Sequence, residues 1–157
     1  MALKDFVFDK DLIFLKENFS NREDLLRFLA EKLLERGLVK DSFVDAVLKR
    51  EEEHPTGIYL GEVNVAIPHT DIEYTNFSSV AVMTLLNPVI FRRMDDPNSE
   101  IQVYIVFMLA IKDPNEYVNF LGTLASKFSN NDFIKRISSE TKKENVFEYL
   151  NEIINGG

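Results

Sequence analysis

Apolar and polar positions alternate along the chain in a way that predicts helices first, strands in the middle and helices last. Leu12-Ile13-Phe14-Leu15 is a short apolar run bounded by charges and predicts a buried strand. Apolar residues then recur at Leu25, Leu26, Leu29, Leu33 and Leu34, which is helical spacing. Upstream, Ser20-Asn21-Arg22-Glu23 reads as a capping box: the Ser20 hydroxyl takes the Glu23 amide and the Glu23 carboxylate reaches back. Gly37 marks the end of this helix. A second helix is expected from a cap at Asp41, through Phe43, Val44, Val47 and Leu48, to about Glu52. His54-Pro55-Thr56-Gly57 breaks it.

In the middle of the chain Val63–Ile67 predicts a strand that Pro68 ends, and Ser79–Leu86 and Gln102–Ile111 are β-rich. Val89-Ile90-Phe91 is a shorter strand candidate between those two, and Arg92–Glu100 is polar and turn-like. Asp113-Pro114-Asn115-Glu116 is a second capping box with proline at the first helical position. Val118, Leu121, Leu124, Ala125 and Phe128 follow at helical spacing, and two shorter helices are expected around Asp132–Ser138 and Glu144–Ile154. The unbroken apolar stretch Val103–Leu109 implies a sheet covered on both faces. The fold expected is α/β: a three-layer sandwich, with a mixed β-sheet covered by helices on both sides.

Length and composition narrow the function classes. The 157 residues, 45% hydrophobic and 28% charged, suit one domain over 1–157 with a core that needs no staples. There is no cysteine, which excludes disulfides, thiolate metal sites and a cysteine nucleophile, and fits a reducing cytosol. Charges at Lys4, Asp5, Asp9, Lys10 and Asp11 interrupt the first residues and argue against a signal peptide. The longest apolar run, Val103–Ile111, is too short to cross a bilayer, so no membrane insertion is expected. Eighteen basic against 26 acidic residues give a net charge of −8, which argues against a general nucleic-acid binder. It is compatible with a partner that presents a basic patch, and equally with nothing more than solubility.

Candidate chemistry is sparse. The two histidines, without cysteine, make a weak metal site. No Gly-x-Gly-x-x-Gly, Walker loop or Gly-x-Ser-x-Gly occurs, so nucleotide binding and serine hydrolysis have no support. His69 stands out because Pro68 ends the strand before it and pushes Ile67 toward an extended conformation. That places an imidazole at a strand end, where loops carry function, and a neutral imidazole is nucleophilic near neutral pH. On position alone, a histidine satisfied in a loop remains the more common reading. Arg50, near the end of the second helix, could grip phosphoryl oxygens bidentately, or simply sit at a helix C-terminus. Thr56 and Gly57 could offer a hydroxyl and an approachable amide, or form a plain turn. His54 reads as an exposed bystander, and Asp95-Asp96 as a solvated turn rather than a metal pair.

Taken together these residues resemble a known family. Leu48-Lys49-Arg50-Glu51, Pro55-Thr56-Gly57-Ile58 and Ala66-Ile67-Pro68-His69 stand in the order and spacing of enzyme IIA domains of the mannitol–fructose (type 2) superfamily of the sugar phosphotransferase system. The resemblance spans about residues 5–150. Phe91–Ser99, with Arg92-Arg93-Met94-Asp95-Asp96-Pro97, is similar to the mid-domain of the galactitol-specific branch. Mannitol and fructose branches place a second histidine where this chain has Tyr117, a departure the galactitol branch shares.

The resemblance implies a cytoplasmic phosphocarrier. The phosphocarrier HPr would donate to His69, with Nε2 as the acceptor atom. A cysteine of enzyme IIB, on a separate chain since none is present here, would receive the group. Enzyme IIC would then move the sugar. Arg50, Thr56 and Gly57 would contact the phosphoryl oxygens, and no cofactor or metal would be needed. A regulatory paralogue of the nitrogen type, whose phosphorylation state controls a partner protein, is the alternative. The absence of a fused regulatory segment and the galactitol-like mid-domain favour transport. Because both protein partners must reach one histidine, its rim should be shallow and partly apolar.

Overall fold

The computed structural model of the protein describes residues 6–156. Lys4 and Asp5, used above against a signal peptide, lie outside them. A mixed five-stranded sheet organises the chain: β1 (Ile13–Glu17), β2 (Gly57–Ile58), β3 (Asn64–Ala66), β4 (Ser79–Arg92) and β5 (Glu100–Ala110), in spatial order β1-β4-β5-β3-β2. β1 runs parallel to β4 and β3 parallel to β5, whereas β4–β5 and β2–β3 are antiparallel. The helices are α1 (Arg22–Glu35), α2 (Phe43–Glu53), α3 (Pro114–Phe128), α4 (Asn131–Ser139) and α5 (Lys143–Gly156).

Alternate residues of the central strands point to opposite faces, and both faces are buried. Ala81 and Met83 pack with Leu25, Leu29, Phe43 and Val47 of α1 and α2. Val80 and Val82 pack with Phe120, Leu124, Ile137 and Leu150 of α3, α4 and α5. Two separate cores therefore lie on either side of one sheet, the three-layer sandwich expected from the continuous apolar runs. Among the described residues no helix is long and apolar enough to cross a membrane.

Several local expectations need correction. The cap of α1 is Asn21, not Ser20: its side chain accepts from the Asp24 amide at 2.9 Å. Asparagine competes as well as serine for an N-cap, and Asn21 is the residue with extended backbone. Gly37 ends that helix as expected, with φ at +71°, the Gly37 amide bonded to Leu34 O and the Leu38 amide to Leu33 O. α2 starts one residue after Ser42, which makes no side-chain capping bond, so Asp41 is not its cap. Asp113 does cap α3, accepting from the amides of Asn115 and Glu116, with Pro114 at the first helical position.

Val89–Phe91 is not a separate strand but the far half of β4. The pairing with β5 shifts between Thr84 and Val89, so the gap between the two expected strands is an irregularity within one long strand. The Thr56-Gly57 break contains β2, a two-residue strand that sequence patterning misses. Gly57 is required there by close approach. A Cβ on it would lie 2.5 Å from the carbonyl oxygen of Arg92, and the Gly57 carbonyl accepts from the Met94 amide at 2.8 Å.

Candidate functional site

β3 ends at Ala66, and Ile67-Pro68 carries the chain out of the sheet to His69. The path is pinned on both sides. The Ile67 amide donates to Thr56 O at 3.3 Å, and Pro68 O accepts from the Leu109 amide at 2.9 Å. The His69 side chain, half-buried, turns back so that Nδ1 lies 2.8 Å from Ile67 O. A carbonyl can only accept, so Nδ1 carries the proton and Nε2 holds the free lone pair. The Tyr117 ring meets the imidazole edge-on, with centroids 5.2 Å apart.

His69 and Arg50 line one open depression of about 490 Å³, together with Asp71, Ile72, Tyr117 and Val118. Ile72 and Val118 are exposed apolar residues, at 41% and 68%, so the rim has the apolar character expected of a surface that meets other proteins. A second, adjoining cavity of about 460 Å³ also has His69, Arg50 and Tyr117 in its wall and reaches Thr56 and Met94.

The electrostatics favour a neutral imidazole. Burial, and secondarily the Arg50 charge, push the His69 pKa below its ordinary value, against the opposing effects of its bond to Ile67 and of Asp71. Arg50 Nη1 donates to Asp71 Oδ1 at 3.3 Å, while its Nε is buried without a hydrogen-bond partner. The one bond to Asp71 does not use up the guanidinium's donors, although the buried Nε is itself closed to solvent. Burial pushes the Tyr117 phenol up to about 12, so it is a neutral donor at physiological pH.

The other sequence candidates separate. Thr56 is 2% exposed, and both its donors go to Glu51: the amide to Oε2 at 2.8 Å and the hydroxyl to Oε1 at 2.7 Å. Gly57 lines neither cavity wall and has the packing role described above. His54 is exposed at the end of α2. Asp95 forms a bidentate pair with Arg93 and Asp96 closes the hairpin turn through Ser99, so this pair is a turn. Among the described residues no group of three or more potential metal ligands comes together.

Two residues were given no role from the sequence, although Glu51 stands in the Leu48–Glu51 motif. Asp71 gave no signal beyond lying two positions past His69. Glu51 gave one: it continues the Val44-Val47 stripe of α2 at helical spacing, so a carboxylate there must face the core.

The chain matches the model of the family described as phosphoenolpyruvate-dependent sugar phosphotransferase system, EIIA 2, over residues 6–153. The galactitol-specific EIIA component of Escherichia coli (strain K12) is 29% identical over 132 residues, 83% of this chain and 87% of that protein. The mannitol-specific EIICBA component of Buchnera aphidicola subsp. Baizongia pistaciae is 31% identical over 136 residues, 85% of this chain and 20% of that longer protein. The crystal structure of mannitol IIA from Escherichia coli superposes with a TM-score of 0.74 at 27% identity, over 92% of this chain and 99% of that one. The Escherichia coli mannitol enzyme IIA solved in complex with phosphorylated enzyme IIB superposes with a TM-score of 0.77 at 24% identity, over 92% and 97% of the two chains.

Proposed function

The chain belongs to the EIIA 2 family of the phosphoenolpyruvate-dependent sugar phosphotransferase system, and on that premise we propose that it carries a phosphoryl group on Nε2 of His69. Phosphorylated HPr is the donor and a cysteine of enzyme IIB the acceptor, in the uptake of a sugar or sugar alcohol of the galactitol kind. The observation that carries the reading is the bond from Nδ1 to Ile67 O. It leaves Nε2 as the unprotonated atom of a half-buried, neutral imidazole beside Arg50.

In the first step the Nε2 lone pair attacks phosphorus, the N–P bond forms and the bond to the donor's histidine nitrogen breaks. In the second, the thiolate of enzyme IIB attacks and the Nε2–P bond breaks, returning the lone pair to the imidazole. Nδ1 keeps its proton throughout, and Ile67 O stabilises the ring while it is phosphorylated. The transition state is loose, with charge on the equatorial oxygens, so positioning and a nearby cation do most of the catalysis. Arg50 fits that role. Thr56 and Gly57, the other sequence candidates for the phosphoryl oxygens, support the site from behind through β2 and Glu51. The match to the galactitol-specific relative covers 87% of that protein, against 20% of the mannitol-specific one, and this together with the Phe91–Ser99 segment supports that sugar class.

The test is reconstitution with phosphoenolpyruvate, enzyme I and HPr, followed by mass spectrometry. One acid-labile, alkali-stable phosphoryl group is expected, lost in His69→Ala and kept in His54→Ala. Labelling that survives in His69→Ala refutes the assignment.

A further inference from the structure

Among the described residues, Glu51 is the one buried carboxylate, and the phosphocarrier mechanism leaves it without a task. It is 3% exposed, on the sheet-facing stripe of α2, immediately after Arg50. Burying a carboxylate is costly unless its oxygens are satisfied, and here both are, by a single residue: the Thr56 amide at 2.8 Å and the Thr56 hydroxyl at 2.7 Å. Two bonds from one side chain fix the position of the Thr56 peptide. Its carbonyl then accepts from the Ile67 amide at 3.3 Å, and Ile67 O in turn accepts from Nδ1 of His69 at 2.8 Å.

We propose that Glu51 is a positioning residue for His69: by clamping Thr56 it sets, through Ile67, the carbonyl that holds the imidazole with Nε2 unprotonated and directed at the partner. The inference rests on the phosphocarrier reading of His69. A purely structural role for Glu51 would be served by an apolar residue continuing the α2 stripe, which would bury without desolvation and pack at similar volume. What an apolar residue cannot do is accept two hydrogen bonds whose far end is a carbonyl that selects a histidine tautomer. Glu51 also couples the two parts of the site, since the same helix turn carries Arg50 at the adjacent position. The clamp holds the guanidinium's helix and the imidazole's loop in one register.

The experiment compares Glu51→Ala, Glu51→Gln and the parent protein by two readouts. The first is the His69 tautomer, read from nitrogen chemical shifts of histidine-labelled protein above the imidazole pKa. The second is the single-turnover rate of phosphoryl transfer from phosphorylated HPr. Glu51→Ala is expected to give a mixture of tautomers and a rate lower by about ten- to a hundredfold, the scale of a small misplacement of a reacting group. Glu51→Gln keeps one acceptor for the Thr56 amide and a donor for its hydroxyl, so it should restore one tautomer and bring the rate to within about threefold of the parent. If Glu51→Ala does not fold, Glu51→Asp, too short to reach both Thr56 donors, is read in its place.

A single tautomer with the parental rate in the truncated variant overturns the proposal. So does a slowed rate with an unchanged tautomer, or a Glu51→Gln variant as impaired as the truncation. If the parent protein takes no phosphoryl group at all, the phosphocarrier reading fails, while the tautomer measurement still decides whether the clamp acts on His69.

Discussion

Glu51 should make the stability of this protein depend on pH in a direction opposite to most carboxylates. Burial, the largest influence, pushes its pKa from 4.5 up to about 7, against the two Thr56 bonds and the Arg22 charge, with Glu52 adding to the rise. A raised pKa means that the folded state binds the proton more tightly than the unfolded chain. The resulting stabilisation is complete below about pH 4.5, declines as pH rises, and is gone above about pH 7. At about 1.4 kcal/mol per tenfold, that span corresponds to about 3 kcal/mol. Glu51→Gln has no proton to lose, so its stability should not carry this slope. The measurement is urea unfolding at 25 °C from pH 4.5 to 7.5, with the difference between the two proteins plotted against pH. The parent is expected to lose about 3 kcal/mol relative to Glu51→Gln across that range. His69 acts in the other sense, since a lowered pKa favours folding as pH rises, but it is present in both proteins and cancels. Parallel curves would show that Glu51 is solvated and ionised throughout, and would refute the burial argument.

Gly57→Ala should destabilise by about 1–3 kcal/mol in the same unfolding assay, because the new Cβ lies 2.5 Å from Arg92 O, a backbone atom held in β4. Asn21→Ala should cost about 1 kcal/mol by loss of the α1 cap, whereas Ser20→Ala should be close to neutral, reversing the order that the capping-box pattern suggests. Arg50→Ala should slow transfer from phosphorylated HPr about ten- to a thousandfold and raise the His69 pKa, seen by NMR titration, because the Arg50 charge holds it down. Tyr117→Phe should change the rate little; a crippled Tyr117→Phe with an unimpaired Arg50→Ala would reverse the assignment.

The layers were readable because burial on both faces leaves a one-dimensional trace: Val103–Leu109 has no polar face to give, and the structure covers both sides of it. The helices were readable from their stripes, their ends less so. Ser20 and Asn21 are both competent caps by residue type, and the structure gives the role to Asn21, whose side chain takes the Asp24 amide. The expected break between Ser79–Leu86 and Val89–Phe91 failed for the same kind of reason. A break in the apolar pattern is a local feature, and pairing with β5 continues on both sides of it. β2 was illegible because two residues cannot display a period; what marks it is the approach of Gly57 to Arg92, a contact between segments 35 positions apart.

The site shows the same division between what a sequence carries and what only folding assembles. His69 and Arg50 were visible as residue types in a spaced pattern, but the properties that suit them to one another arise between elements. Nδ1 is committed by a carbonyl two residues back, which leaves Nε2 unprotonated. Arg50 comes from α2, on the other side of β2, and in the resting protein shares its charge with Asp71. That pairing is exposed and weak, so an arriving phosphoryl group, with more charge and three acceptor oxygens, can displace the carboxylate at little cost. Tyr117 contributes no charge, and its phenol is held neutral by burial. A site with a single cation must place it accurately, because no second positive group can compensate for an error. The buried Glu51–Thr56 clamp, at the position next to Arg50 and two hydrogen bonds from His69, is built where such accuracy has to be imposed.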